Sequence, residues 1–429
     1  MRKVLLILFI ALTYTSLQGQ TYWIKQTVPT KKRFQVCSFL DSLRGWAAGD
    51  SGIIVKTING GINWNIQESR IPQNINSLYF LNERLGWGLA WIVSLSPRQT
   101  YGTIILNTTN GGDNWNSVFY PVENSFQNSI LFLDSLNGFI GGYPTPIIRT
   151  TNGGLNWYAI SYDTSGPSGF PVKNITFYNN RVGFASGGFF DLAGIIYRTT
   201  DYGITWKGYG VAPEPIIKII TIDSLKIVGL GGDYEFGPSL VTSFNGGNNW
   251  SYMTLLYWGV PTSAAFRTKA EGWAPLGYYP KFLVTDDSAK SWTDMITPDS
   301  SFIFDISFPD SRNGFCVGDS GAIYKFNYAA VNVIHNNEQI VPADYKLFQN
   351  YPNPFNPVTH IRFRVPNPGF VTIKIYNILG KEITVLVNDK YEPGEYNIQF
   401  DGSGFSSGIY YYRMTSGNYT ATNTMVLIK

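Results

Sequence analysis

Thr199-Thr200-Asp201-Tyr202-Gly203-Ile204-Thr205-Trp206 is an eight-residue stretch that recurs, with small changes, along most of this chain. Each copy begins with a hydroxyl residue, has Asp or Asn two places later, usually Gly two places after that, and Trp in the eighth position. The Asp or Asn side chain accepts hydrogen bonds from turn amides, and Gly adopts a positive φ without strain. The stretch therefore predicts a tight hairpin whose Trp opens the next strand. The other copies are TINGGINW (57–64), TTNGGDNW (108–115), TTNGGLNW (150–157), SFNGGNNW (243–250) and TDDSAKSW (285–292).

The spacing of these turns predicts the architecture. Their tryptophans follow one another by 51, 42, 49, 44 and 42 residues. A period of about 40–50 residues in a chain of strands and turns is typical of four-stranded propeller blades. The twelve residues that we assign to the structure of these turns are Asn59, Trp64, Asn110, Trp115, Asn152, Trp157, Asp201, Trp206, Asn245, Trp250, Asp287 and Trp292.

A second landmark, Gly followed by Trp or Phe, keeps the same period and raises the count to seven units. It occurs at residues 45–46, 86–87, 138–139, 183–184, 272–273 and 314–315, with a weaker copy at 223–229. The missing seventh tryptophan is Trp23, because Trp23-Ile24-Lys25-Gln26 aligns with Trp64-Asn65-Ile66-Gln67. We therefore predict an all-β fold, a seven-bladed β-propeller in which the N-terminal strand pairs with residues 324–326. Such closure removes exposed sheet edges.

The repeated turn resembles the Asp box, also called the BNR repeat, of β-propellers such as sialidases. By blade pattern the chain is most similar to the photosystem II assembly and stability factor type, in which GW…G…TTNGGxxW units carry no catalysis and a basic patch holds a protein client. Arginines at 44, 149, 181, 198 and 312 follow the repeat here, which favours a solvated rim over such a patch.

The C-terminal 85 residues have a different pattern of alternating short strands, which predicts a small immunoglobulin-like β-sandwich. Within it, NYPNPFNP (350–357), VTIKIYNILGKEI (371–383), GIYY (408–411) and MVLIK (425–429) resemble the type A C-terminal sorting domain of the type IX secretion system. The resemblance implies passage across the outer membrane, removal of the domain by a cell-surface sortase, and anchoring or release of the cargo. The alternative is a further binding sandwich.

The N-terminus has the features of a signal peptide. Arg2 and Lys3 precede an apolar run, residues 4–14, that is too short to span a bilayer, and Gly19 suits cleavage. We thus divide the chain into a signal peptide (1–19), a propeller (20–328), a linker (329–344) and a sorting domain (345–429). The expected location is outside the cell or on the outer surface of a two-membrane bacterium.

Composition narrows the function classes. Charged residues are only 14%, aromatic residues reach 16%, and the net charge of +3 comes without a basic tract, so nucleic acid is not an expected partner. The two cysteines, Cys37 and Cys316, are expected on neighbouring blades, where they are either a disulfide across the closure or two buried thiols. We expect no cofactor, no transmembrane segment and a monomer.

Binding is expected on the face opposite the box turns, where loops vary in length and aromatic residues gather. Unit two has an insertion at 91–101 and unit four at 162–171. The alternative is ordinary packing of loops between blades. The candidate binding residues are Trp91, Tyr101, Tyr143, Phe189, Phe190, Tyr234, Trp258, Tyr278 and Tyr279.

Catalysis is restricted by the absence of histidine from the propeller, because His335 and His360 both follow it. No Ser-His or Cys-His pair and no imidazole metal ligand is available there, so we predict no metal site. A carboxylate mechanism stays open through Asp191, Asp233 and Glu235, whereas Asp50 and Asp319 lie in Asp-Ser-Gly turns.

The Arg70-Ile71-Pro72 motif resembles a sialidase motif but follows the first box instead of preceding it. The favoured function is non-catalytic binding of a protein or a glycan, and the alternative is an extracellular glycoside hydrolase or lyase.

Overall fold

The structure is a computed structural model of the chain, and it describes residues 22–94, 100–330, 344–391 and 393–429. The predicted signal peptide (1–19) and most of the predicted linker lie outside these residues. The chain divides between residues 328 and 329 into two compact units, which are described separately.

The described part of the first unit forms seven sheets, the number that the repeat predicts. We call them blades 1 to 7, and their strands run from the innermost to the outermost. The first strand of the chain, β1 (Trp23–Lys25), is the outermost strand of blade 7. Blade 1 is β2 (Phe34–Phe39), β3 (Gly45–Gly49), β4 (Ile53–Thr57) and β5 (Asn65–Glu68); blade 2 is β6 (Ile75–Phe80), β7 (Gly86–Ser94), β8 (Thr100–Thr108) and β9 (Asn116–Phe119); blade 3 is β10 (Phe126–Phe132), β11 (Gly138–Tyr143), β12 (Ile147–Thr150) and β13 (Tyr158–Ala159).

The remaining blades continue in the same order. Blade 4 adds an outermost strand, β14 (Ser161–Asp163), to β15 (Val172–Phe177), β16 (Gly183–Phe189), β17 (Ala193–Thr199) and β18 (Thr205–Ala212). Blade 5 is β19 (Ile216–Thr221), β20 (Ile227–Asp233), β21 (Gly237–Ser243) and β22 (Ser251–Thr254); blade 6 is β23 (Ala265–Phe266), β24 (Gly272–Pro275), β25 (Lys281–Thr285) and β26 (Thr293–Ile296); blade 7 is β27 (Ile303–Ser307), β28 (Phe315–Gly318), β29 (Ile323–Phe326) and β1. Short 3₁₀ turns occupy Asp50–Gly52, Pro298–Ser300 and Asp319–Gly321.

The ring closes as the sequence predicts. Strand β1 pairs antiparallel with β29, with Trp23 opposite Phe326 and Lys25 opposite Tyr324. Trp23 is buried and packs against Trp273, Phe282 and Phe326, with ring centroids 5.3–5.7 Å apart. The first strand therefore joins the two ends of the propeller through backbone pairing and an aromatic core.

Each box turn joins the third and fourth strands of its blade. In the copy at 199–206, Asp201 Oδ1 accepts hydrogen bonds from the backbone N–H groups of Ile204 and Thr205, and Thr199 Oγ1 accepts one from Gly203. The same pattern recurs at Asn59, Asn110, Asn152, Asn245 and Asp287. The box turns and the hairpins between first and second strands lie at one end of the propeller, the box face. The second-to-third hairpins and the links between blades form the opposite end, the loop face.

Aromatic rings join neighbouring blades beneath the box face. Trp46 of blade 1 stacks on Phe80 of blade 2 with centroids 3.6 Å apart, and Trp115 meets the same Phe80 edge-on at 5.8 Å. Gly86 lies against the Phe80 ring so closely that a Cβ there would come within 2.4 Å of it. The Gly-Trp landmark thus has a physical cause: the glycine admits the ring, and the following aromatic residue packs against the next blade.

The insertion in unit four differs from its expected role as a binding loop. Part of it forms β14, which pairs parallel with β18 along the outer edge of blade 4. Tyr162 is held there because its hydroxyl accepts a hydrogen bond from the Ile147 N–H at 3.0 Å and its ring packs against Tyr197 at 5.6 Å. This segment therefore extends the outer edge of the blade.

Both cysteines lie where the blade assignment places them, Cys37 on β2 and Cys316 on β28. The two thiols are buried and free. Burial raises the pKa of both thiols well above the usual value, which keeps them protonated and unreactive.

The second unit contains two sheets around one core. One sheet has β30 (Lys346–Leu347), β31 (Val358–Val365) and β34 (Gly394–Asp401), and the other has β33 (Glu382–Tyr391), β32 (Gly369–Tyr376), β35 (Gly408–Ser416) and β36 (Tyr419–Leu427). Residues from both, including Phe363 and Met414, pack together in that core. Asn350 of the NYPNPFNP segment is buried, and its side-chain amide donates to Pro352 O and Thr359 Oγ1. The more specific assignment as an immunoglobulin-like sandwich stays a prediction.

Candidate binding channel and loop face

The inner strands enclose a central channel with a cavity of about 490 Å³, and residues of all seven blades line it. This volume is within the range of about 300–1,000 Å³ that is typical of small-molecule sites. Phe190 and Tyr278, which lie on loop-face hairpins, are among the lining residues, so the channel opens at the loop face.

A repeated β-bulge points side chains into this channel. The register of six inner strands shifts by one residue near the loop face, which leaves one unpaired residue in each strand. A bulge re-aims the side chain that it carries. The six bulge residues all line the channel, and they are Gln35, Asn76, Asn128, Lys173, Ile217 and Phe304.

In four of the six bulged strands, the residue after the bulge connects neighbouring blades. Ser77 Oγ accepts from the Ile130 N–H at 3.2 Å, Ser129 Oγ from Ile175 at 3.1 Å, and Asn174 Oδ1 from Ile219 at 3.2 Å. Asp305 Oδ2 completes the series by accepting from the Cys37 N–H at 2.8 Å across the closure. In blade 5 the equivalent residue is Lys218, which has no acceptor to offer. In blade 5, the Lys218 ammonium group therefore stands where other blades have a side chain that accepts a hydrogen bond from the next blade.

The channel wall carries more positive than negative charge. Arg33 is neutralised by Asp50 at 3.0 Å and also donates to the Tyr278 hydroxyl at 3.0 Å. Asp305 accepts from Cys37, Ser263 and Ile306. The side-chain ammonium groups of Lys173 and Lys218 make no ion pair or hydrogen bond with any residue that the structure describes.

The candidate aromatic residues fall into two groups. Trp91 and Tyr101 are partly buried: the Trp91 indole N–H donates to the Gln127 carbonyl at 2.7 Å, and both rings pack against Phe126. The other seven are exposed on the loop face, and they are Tyr143, Phe189, Phe190, Tyr234, Trp258, Tyr278 and Tyr279. Trp258 is 70% exposed and Tyr234 63%, which is unusual for such large rings.

Three carboxylates meet on the loop face between blades 4 and 5. Oxygens of Asp191, Glu214 and Asp233 lie within 4.8 Å of one another. Burial, followed by the charges of Asp233, Asp191 and Glu235, raises the pKa of Glu214, although a hydrogen bond from the Asp191 N–H opposes the shift. Asp233 Oδ1 also caps a turn by accepting from the N–H groups of Glu235 and Phe236. Carboxylate oxygens at this spacing are ligands that a hard cation such as Ca²⁺ prefers.

The structure places the other sequence candidates in structural roles. Asp50 and Asp319 lie in short 3₁₀ turns as expected; the Asp50 carboxylate binds Arg33 and Gln35, and Asp319 Oδ1 accepts from the Phe302 N–H. Two of the rim arginines are also engaged: Arg44 pairs with Asp41 and Glu83, and Arg181 donates to Thr200 O.

Sequence reasoning missed three residues of the candidate site, namely Glu214, Lys173 and Lys218. Glu214 lies in the link between blades 4 and 5. The sequence predicts such links on the loop face, and a search of the links for acidic residues would have found it. The two lysines were missed because the inner strands were not aligned with one another. Such an alignment puts VKNITF (172–177) beside IIKIIT (216–221) and shows a lysine in each.

Comparisons with known proteins agree with the fold of both units. Residues 15–125 and 100–223 match the family model of the photosynthesis system II assembly factor YCF48, and residues 349–429 match that of the secretion system C-terminal sorting domain. The propeller unit is therefore similar to the YCF48 family, and the second unit is similar to the sorting-domain family.

Solved structures support the fold of the propeller. YCF48 bound to D1 peptide and YCF48 from Cyanidioschyzon merolae each align with a TM-score of 0.55 at 19% identity, over 71% of this chain and 96% and 98% of theirs. A GH74 xyloglucanase from Xanthomonas campestris aligns with a TM-score of 0.56 at 10% identity, over 80% of this chain and 59% of the enzyme. No curated protein sequence matches the chain. Among the described residues, no helix has the length and apolar character needed to cross a membrane.

Proposed function

We propose that this YCF48-like protein is an exported, non-catalytic propeller that binds a protein or glycan partner through its loop face. The sorting domain and the propeller together indicate a secreted protein. The observation that carries the binding proposal is the group of exposed aromatic rings on the loop face, above all Trp258, Tyr234 and Phe190.

The physical argument rests on exposure and rigidity. Large aromatic side chains exposed together on a soluble protein mark interaction surfaces, and Tyr and Trp are the residues most often found at binding hot spots. Tyr234 and Phe190 lie on short hairpins between paired strands, β20–β21 and β16–β17, so little conformational entropy is lost there when a partner binds; Trp258 lies in the link between β22 and β23. One of the similar YCF48 structures has a D1 peptide bound to it, which favours a protein partner for this chain as well.

The binding proposal is tested with the purified chain from residue 20 to residue 429. It is applied to a glycan array and, separately, to surface proteins from its own source cells. Trp258→Ala and Tyr234→Ala should each weaken binding by roughly 10-fold or more, because truncating a hot-spot residue costs about 2 kcal/mol. Tyr252→Ala is the matched control, since Tyr252 is exposed on the outer strand β22. Equal loss in the control would contradict a loop-face site.

Export by the type IX route is tested by deletion of residues 345–429. The truncated propeller should accumulate in the periplasm, and fractionation of whole cells measures this. Propeller that still reaches the outer surface would remove the sorting domain from the proposal. The intact chain should lose that domain to a sortase, and cargo that retains it at the surface would argue against processing.

The alternative function, an extracellular glycoside hydrolase or lyase, has one specific observation in its favour. The pKa of Glu214 is raised, and the carboxylates of Asp191 and Asp233 lie beside it. Neighbouring carboxyl groups with different pKa values can act as the general acid and the general base of a hydrolase. A hydrolysis screen with polysaccharides tests it. Turnover that disappears in Asp191→Asn, Asp233→Asn or Glu235→Gln would replace the binding proposal with this one.

A further inference from the structure

We propose that the central channel is a binding site for a sugar acid, with Lys173 and Lys218 holding its carboxylate. The two lysines lie inside the channel, and the loop-face test relies on Trp258 and Tyr234, which do not line it, so the two proposals are tested by different variants. Four features support it: two unpaired cations, their location in one cavity, the polar groups around them, and the aromatic rings at the entrance.

The first feature is the missing counter-ion. A buried ammonium group is costly unless an anion or several acceptors surround it. Lys173 is partly buried in the channel wall, and burial lowers the pKa of its ammonium group. Neither the Lys173 nor the Lys218 ammonium group has a hydrogen bond or ion pair among the described residues. Of the channel's other charged groups, Arg33 pairs with Asp50, and Asp305 accepts from three donors. An anionic ligand would complete this arrangement.

The second feature is position. Lys173 is the bulge residue of β15 and Lys218 follows the bulge of the adjacent inner strand β19, so they lie at nearly the same level of neighbouring blades. Both line the same cavity. Other blades use Ser77, Ser129 or Asn174 after the bulge to accept a hydrogen bond from the next blade. Val36 in blade 1 and Lys218 in blade 5 do not make this link, and of these two residues only Lys218 adds a charge to the channel.

The third feature concerns hydroxyl recognition. Asn128 donates its amide to Val172 O, which leaves its carbonyl oxygen as an acceptor, and Asn174 accepts from Ile219, which leaves its NH₂ group as a donor. Sugar hydroxyls donate and accept together, so an acceptor and a donor side by side suit them. A fatty acid would leave these polar groups without partners.

The fourth feature is the entrance. Phe190 and Tyr278 line the channel mouth and are 53% and 57% exposed. Aromatic faces stack on the C–H faces of pyranose rings, and a cavity of about 490 Å³ has room for a ligand of small-molecule size. A carboxylate beyond the ring would then reach the two lysines.

The test uses the chain from residue 20 to residue 429 with galacturonic acid, glucuronic acid and N-acetylneuraminic acid as probes, and galactose and inorganic phosphate as comparisons. Calorimetry should show at least one sugar acid binding 10-fold more tightly than galactose. Lys173→Met and Lys218→Met should each weaken it by roughly 10- to 100-fold, the worth of a charged hydrogen bond. Lys290→Met removes the same charge from the exposed box face and should change nothing.

Thermal melting shows that the variants remain folded. Without ligand, Lys173→Met should melt at the same or a higher temperature than the native chain, because it removes an unpaired, desolvated cation. The proposal is overturned if none of the three acids binds, or if the double lysine variant binds as well as the native chain. Inorganic phosphate binding as tightly as the best sugar acid would instead identify a general oxyanion site and overturn the sugar assignment.

Discussion

At the scale of single residues, close approach of rings to glycine is the feature that most constrains this sequence. Rings from the first strands lie over Gly45, Gly86, Gly138, Gly183, Gly272 and Gly314, and a Cβ at any of them would come within 2.7 Å of a ring atom. The rings cannot move away, since they are themselves packed: Phe80, for example, is held between Trp46 and Trp115. Small-to-large changes in such a core are destabilising.

Gly86→Ala should therefore lower the free energy of unfolding by roughly 1–3 kcal/mol, the usual cost of overpacking. Gly210→Ala is the matched control, because Gly210 also lies in a strand but no atom is within 4 Å of the position of its Cβ. Chemical denaturation of both variants measures the difference. A loss of stability at Gly210 equal to that at Gly86 would contradict ring contact as the cause, because Gly→Ala alone reduces the entropy of the unfolded chain and does not destabilise the fold.

Glu214 provides a prediction about pH. Its pKa in the folded protein is raised above the usual 4.5, so ionisation is less favourable in the folded chain than in the unfolded one. Stability associated with this group is present below pH 4.5 and is lost as the pH rises through the folded pKa. Glu214→Gln should accordingly raise the melting temperature at about pH 7 and leave it nearly unchanged at about pH 4. An increase of equal size at both pH values would show that charge is not the cause.

At the scale of elements, the box turn is a hairpin whose stability depends on one side chain. Asp201 accepts from the Ile204 and Thr205 N–H groups and from the Thr199 and Thr205 hydroxyls. Burial opposes its ionisation, but the hydrogen bonds from Thr205, Thr199 and Ile204 outweigh burial and lower the pKa of Asp201 below 3.8.

Asp201→Ala should cost roughly 1–3 kcal/mol of unfolding free energy, because it leaves turn donors without their acceptor. Asp201→Asn keeps Oδ1 and should cost less, as the Asn residues in four of the other box turns indicate.

Because the folded pKa is lowered, the contribution of the Asp201 charge is present above pH 3.8 and is lost as the pH falls below it. Acid denaturation followed by circular dichroism should therefore be shallower for Asp201→Asn than for the native chain. Identical acid profiles would contradict this assignment.

Much of the fold at this scale was predictable from the sequence, and the reason is repetition. One box turn predicts a hairpin, whereas copies at a steady period predict a ring of blades. The exception was the insertion in unit four: its parallel pairing with β18 depends on an available strand edge, which local sequence does not encode. The candidate site was less predictable, since the repeat marks recurring turn positions and the lysines lie at positions where blades differ.

At the scale of the whole molecule, the propeller is closed by three residues of β1. Trp23 is 2% exposed and contacts four aromatic rings of blades 6 and 7, while the adjacent Ile24 is 51% exposed. Strand β1 thus offers a buried residue, Trp23, and an exposed neighbour, Ile24, whose truncations can be compared.

Trp23→Ala should destabilise the propeller by about 3–5 kcal/mol, the usual cost of truncating a buried Trp. Ile24→Ala should change the free energy of unfolding by less than about 0.5 kcal/mol, as is normal for an exposed site. Thermal unfolding of the two variants provides the comparison. Equal, small effects would mean that the propeller is stable without the β1 closure.

The pairing of β1 with β29 also determines when this protein can finish folding. Its partners lie at opposite ends of the propeller sequence, so bringing them together requires the largest loop closure in the domain, and contacts of such separation form slowly. Until residues 323–326 are available, β1 has no strand to pair with, and its free edge can pair with another chain. A chaperone that covers the unpaired strand, or a low concentration of incompletely folded chains, would limit aggregation during this interval.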